Sequence, residues 1–114
     1  MPYLKIQSNI IIDSDAAASL LEEASKLVAS ELGKPENYVM VALEPPQPML
    51  FSGSDAPLAY LELKSIGLPE SKTPALSAAL CQLIENKTNI PASRVYIEFA
   101  DAPRAMWGWD SKTF

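Results

Sequence analysis

A chain of 114 residues, 48% hydrophobic and 20% charged, has the profile of a folded globular domain with length enough for one core. Its net charge of −5, with no basic run, removes the phosphate attraction on which nucleic-acid binding depends. Histidine is absent, which excludes Ser-His-Asp and Cys-His catalysis and any His-containing metal site, and the lone Cys81 has no partner for an intrachain disulfide.

In chain order, Tyr3-Leu4-Lys5-Ile6-Gln7-Ser8 alternates as a half-buried strand does. Pro2 heads it, and proline, having no backbone N–H, is tolerated at a strand's first position. Ala17, Leu20, Leu21, Ala24, Leu27, Val28 and Leu32 then recur at the spacing of one helix face. Asp13 or Ser14 can cap its start, and Gly33 its end. The stretch Pro35-Glu36-Asn37-Tyr38-Val39-Met40-Val41 leads into a second strand. Residues 44–56, "EPPQPMLFSGSDA", are rich in Pro, Gly and Ser and form a loop. A third strand follows at Tyr60-Leu61-Glu62-Leu63-Lys64-Ser65. A second helix carries Leu76, Ala79, Leu80, Leu83 and Ile84, with Thr73 as its cap and Pro74 at its first position. Cys81 falls within that pattern and reads as a core residue. Pro91-Ala92-Ser93-Arg94-Val95-Tyr96-Ile97 supplies the fourth strand. Neither a signal-peptide core nor a membrane-spanning run is present, so a cytoplasmic protein away from membranes is expected.

The chain echoes itself. Tyr3 to Ser8 returns as Tyr60 to Ser65 at an offset of 57 residues, and Pro35 to Val41 returns as Pro91 to Ile97 at an offset of 56. One domain over residues 1–114 therefore reads as a duplicated βαβ unit, with pseudo-repeats at about 2–43 and 59–100. Each crossover helix makes its two strands parallel and the connection right-handed. The expected fold class is α+β, an α/β sandwich in which two helices cover one face of a four-stranded mixed sheet. Leu4, Ile6, Val39, Val41, Leu61, Leu63, Val95, Ile97 and Phe99 should meet the helices. The other face carries Tyr3, Lys5, Met40, Tyr60, Glu62, Tyr96 and Glu98, a mixture typical of a surface that meets another subunit. A monomeric ferredoxin-like βαββαβ layout is the alternative.

Pro2 also has chemistry available. An initiator Met before a small residue is commonly removed, which would leave Pro2 with a free secondary amine. Chain amines titrate near roughly 8, and burial among apolar groups lowers that further, which suits a general base. The plainer alternative is that Pro2 only starts a strand.

Gly33-Lys34-Pro35-Glu36-Asn37-Tyr38, Ser65-Ile66-Gly67, Arg94-Val95-Tyr96-Ile97, Trp107-Gly108-Trp109 and Thr113-Phe114, together with Pro2, resemble the macrophage migration inhibitory factor (MIF) family of the tautomerase superfamily. The resemblance spans the whole chain. It implies a homotrimer of pseudo-twofold βαβ protomers with active sites between subunits. It also implies keto–enol tautomerisation of phenylpyruvate-like aromatic 2-oxo acids, or isomerisation of dopachrome derivatives, with no metal and no cofactor. On that resemblance Pro2 is the general base and Lys34 meets the anionic end of the substrate. Ile66 offers its backbone to the ligand, and Tyr96 enters a neighbouring subunit's pocket. Tyr38, Trp107, Trp109 and Phe114 form apolar walls that hold an aromatic ring and desolvate Pro2. A MIF-like cytokine or interaction protein is the alternative reading, as is a sibling dehalogenation or decarboxylation. Family members can be secreted without a signal peptide.

Two departures stand out. Leu58-Ala59-Tyr60-Leu61 occupies the place where many animal members carry Cys-x-x-Cys, so thiol–disulfide chemistry of that kind is not expected. Glu98 stands where the family commonly has Asn, and an ionised carboxylate accepts hydrogen bonds but donates none. Glu98 would repel an anionic substrate, raise the Pro2 pKa, or pair with a cation such as Lys34 of another subunit.

Overall fold

The strand and helix periodicities of both repeats appear in the computed structural model, which describes residues 1–114. Strand β1 (Tyr3–Ser8) leads into helix α1 (Ser14–Leu32) and strand β2 (Met40–Leu43). Strand β3 (Ala59–Ile66), helix α2 (Thr73–Thr88) and strand β4 (Val95–Ala102) repeat the pattern. The four strands form one sheet in the order β2-β1-β3-β4. β1 runs parallel to β2 and β3 parallel to β4, while β1 and β3 meet antiparallel with Lys5 opposite Glu62. Each helix thus joins strands that are direct neighbours, unlike the split βαβ of a ferredoxin-like layout.

Alternation decides which face is covered. Leu4, Ile6, Leu61 and Leu63 are essentially inaccessible, and they join Leu20, Ala24 and Val28 of α1 and Leu76, Leu80 and Ile84 of α2 in one cluster. Val39, Val41, Ile97 and Phe99 pack against its margin. Cys81 does likewise and is half-buried rather than fully enclosed, with burial pushing its thiol pKa up.

The helix ends show how the duplication is built. Asp13 accepts a hydrogen bond from the Ala16 amide at 2.9 Å, the N-cap expected for α1. Gly33 closes that helix in the left-handed region at φ 63°, and Asn89 closes α2 at φ 62°. The echoed prolines each begin a short 3₁₀ turn, Glu36–Tyr38 after Pro35 and Ala92–Arg94 after Pro91, which delivers the chain to its second strand. Thr73 departs from its expected capping role. A 3₁₀ turn at Glu70–Lys72 runs straight into α2, so Thr73 is already helical and its hydroxyl donates back to the Glu70 carbonyl at 2.9 Å. Loss of the Asp13 cap in Asp13→Ala should cost about 1 kcal/mol, read as a lower urea midpoint that Asp13→Asn restores.

The open face of the sheet is polar at its centre. Lys5 lies 2.9 Å from Glu62, Gln7 donates to Glu44 at 2.7 Å, and Tyr60 donates to Glu62 at 3.4 Å. The Lys5 partnership raises the lysine pKa and lowers that of Glu62. After β4 the chain ends in a small hairpin, β5 (Gly108–Trp109) and β6 (Lys112–Thr113). Asp110 and Ser111 turn it with positive φ at both central positions, as a type I′ turn demands.

Candidate active site

Pro2 lies immediately before β1 and is less than 2% exposed. Its carbonyl accepts the Met40 amide at 3.0 Å, which ties the chain start to the head of β2. The missing N–H costs nothing there, because the β1 ladder begins at Tyr3.

Beside Pro2 opens a cleft of about 540 Å³, lined mainly by apolar groups that include Tyr38, Met40, Trp107, Trp109 and Phe114. The terminal hairpin supplies one wall. Trp109 and Phe114 stack with centroids 5.5 Å apart and planes 8° from parallel. The Tyr38 ring meets both edge-on, at 5.7 and 6.3 Å. Such offset and T-shaped pairs stiffen a wall that can receive a flat aromatic ring. The Phe114 amide donates to the Trp107 carbonyl at 3.2 Å and holds the last residue in place.

Lys34 follows the Gly33 cap, and its ammonium donates to the Ile66 carbonyl at 3.2 Å. The two residues expected to meet the ligand together are therefore brought together across the fold, although neither lines the cleft itself. The charge of Lys34 does reach the chain start. It adds to burial, the larger cause, in holding the Met1 amine below the ordinary chain-amine range.

Tyr96 and Glu98 do not join this cluster. Tyr96 is 66% exposed, rests on Phe51 at 4.7 Å, and lines a separate hollow of about 260 Å³. Arg94 fixes that hollow's loop by donating to the carbonyls of Phe51, Ser54, Ala56 and Pro57. Tyr96 aligns with Tyr60, which aligns with Gln7, five positions along β1 from Pro2. That separation is roughly 17 Å along the strands alone. Glu98 aligns with Glu62 and through it with Lys5, and is exposed. Neither side chain reaches Pro2 of its own chain.

The arrangement offers a buried proline beside an aromatic slot with a cation nearby. No three His, Cys, Asp or Glu side chains gather closely enough to hold a metal, and no helix is long and apolar enough to cross a membrane. Among the lining residues that sequence reading did not assign to the site, Lys64 is the one with a charged side chain. Alternation puts it on the face of Tyr3, and only the β1–β3 register sets the two side by side.

The family model described as "Macrophage migration inhibitory factor (MIF)" matches residues 1–114. The chain belongs to the MIF family. A MIF homolog of Brugia malayi is 40% identical over 115 residues, covering 100% of this chain and 99% of its own. Among solved structures, the MIF homologue of Prochlorococcus marinus superposes with a TM-score of 0.93 at 46% identity, over 98% of each chain. The crystal structure of Pt0534 inactivated by 2-oxo-3-pentynoate superposes with a TM-score of 0.86 at 29% identity, over 96% of this chain and 93% of that one. The MIF fold, with paired βαβ units on one mixed sheet, is thus the fold of this chain.

Proposed function

We propose that this MIF-family protein is a cofactor-independent keto–enol tautomerase of small aromatic 2-oxo acids, of the phenylpyruvate tautomerase and dopachrome isomerase type. The observation that carries this reading is the burial of Pro2 beside an aromatic slot and within reach of the Lys34 charge. Once Met1 is removed, the Pro2 nitrogen becomes a secondary amine. Burial and Lys34 already lower the pKa of the Met1 amine, and both causes act on an amine at Pro2. Its neutral form then takes a proton from the carbon next to the substrate carbonyl and delivers one to the oxygen of the resulting enolate, with the ammonium as the intermediate state.

Lys34 holds the substrate carboxylate and Ile66 contributes backbone contact, while Tyr38, Trp107, Trp109 and Phe114 grip the ring. Tyr96 and Glu98, which cannot reach Pro2 of their own chain, complete the site of a neighbouring protomer in a homotrimer. Sensitivity of the structural relative Pt0534 to a 2-oxo acid accords with this substrate class.

A pH profile on protein whose intact mass shows loss of Met1 tests the reading. Because the neutral amine is the active form, kcat/KM for phenylpyruvate rises with pH and levels off above the amine pKa. The inflection falls below the usual chain-amine range. A rate that does not fall as the pH drops below that range, or Met1 found intact in an active protein, overturns it.

A further inference from the structure

Lys64 is the one side chain with a formal charge among the residues that line the Pro2 cleft. It stands opposite Tyr3 on the open face of the sheet, and no carboxylate of its own chain approaches it to ion-pairing distance. Glu62, two positions back on the same face, is engaged by Lys5 at 2.9 Å. Asp101, one position past the residue aligned with Lys64, accepts the Leu68 amide at 3.0 Å. A chain with 14 acidic and 9 basic residues thus leaves this cation without an acid of its own protomer at the edge of an apolar cleft.

Lys34 cannot account for the same charge. Its ammonium sits on the carbonyl of Ile66, two positions further along β3. The Cα atoms of residues 64 and 66 are roughly 6.6 Å apart, so Lys64 is rooted on β3 near the carbonyl on which the Lys34 ammonium rests, and the two cations share no acid of their own chain.

We propose that Lys64 is a second anion contact of the Pro2 cleft, so that the site selects 2-oxo acids carrying a further anionic group over monoanionic ones. This rests on the tautomerase reading for the identity of the substrate. In it, Lys34 meets the carboxylate next to the reacting carbonyl, and Lys64 meets the anionic group at the other end. An arylpyruvate with a ring carboxylate has that form. An exposed ion pair contributes little, and apolar walls strengthen it, so the expected preference is about fivefold.

The test compares phenylpyruvate with 4-carboxyphenylpyruvate on the wild type, Lys64→Met and Lys64→Arg. Binding is read by quenching of Trp107 and Trp109 fluorescence, and turnover is measured separately. The wild type binds the dicarboxylate about fivefold more tightly, and added salt shrinks the ratio. Lys64→Met abolishes the ratio and Lys64→Arg keeps it. A ratio equal in the wild type and Lys64→Met, or a wild-type preference for phenylpyruvate, overturns the proposal. Binding without turnover of either acid would sink the tautomerase reading, and the binding ratio would still decide the role of Lys64.

Discussion

Pro2→Gly should lower kcat/KM for phenylpyruvate tautomerisation about a hundredfold or more, the range lost when a positioned general base is removed. Glycine also exposes a chain amine once Met1 is gone, so the loss comes from basicity and placement rather than from the absence of an amine. Proline holds its nitrogen in a ring with φ fixed near about −65°, whereas glycine rotates freely. The surrounding wall is unaffected, because Pro2 makes its backbone contact through its carbonyl to the Met40 amide, which glycine retains. The variant should keep the wild-type circular dichroism and hydrodynamic size. Undiminished turnover would exclude Pro2 as the base. A companion form that retains Met1 carries an amide at Pro2 and should be inactive for the same reason.

Leu63→Ala should destabilise the fold by about 2–5 kcal/mol, the range for emptying a fully enclosed leucine site. Leu63 is 0% exposed at the centre of β3, opposite Leu4 and beside Phe99 in the sheet, and it belongs to the cluster that both helices cover. Its neighbours are held by strand pairing on both sides, which limits how far they can collapse into the void. A domain of this size has only about 5–15 kcal/mol of total stability, so the variant should melt on the order of 10 °C lower at equal protein concentration. Leu63→Met, which nearly conserves volume, should cost less than about 1.5 kcal/mol. Equal melting of the alanine variant and the wild type would show that the site relaxes freely.

Local chemistry made much of this protein legible before any coordinates. The duplication was readable because each unit must satisfy the same local rules: alternation in the strands, one apolar stripe on the helix, and a proline before the second strand. The prolines proved to begin matching 3₁₀ turns, and the Asp13 and Gly33 caps stand where their side chains and backbone freedom require. The helix-facing set Leu4, Ile6, Leu61 and Leu63 followed from period two alone. Thr73 was misjudged because a cap depends on the turn before it, and the 3₁₀ turn Glu70–Lys72, headed by Pro69, brings Thr73 inside the helix.

The candidate site divides along the same line. Pro2 and the aromatic residues near the C-terminus were nameable one by one, since each has its own chemistry. That Trp109 stacks on Phe114 and that Tyr38 closes on both was decided by the terminal hairpin, whose Asp110-Ser111 turn lacks the glycine that usually announces it. Lys64 entered the cleft, and Tyr96 was set far from Pro2, through strand register. Periodicity assigns a residue to a face, but position along that face depends on which strands pair and in which direction. Sequence therefore determined the elements, the buried face and the chemistry of single residues. Only the β2-β1-β3-β4 pairing decided which of those residues share a cleft, because that pairing is a contact between segments distant in the chain.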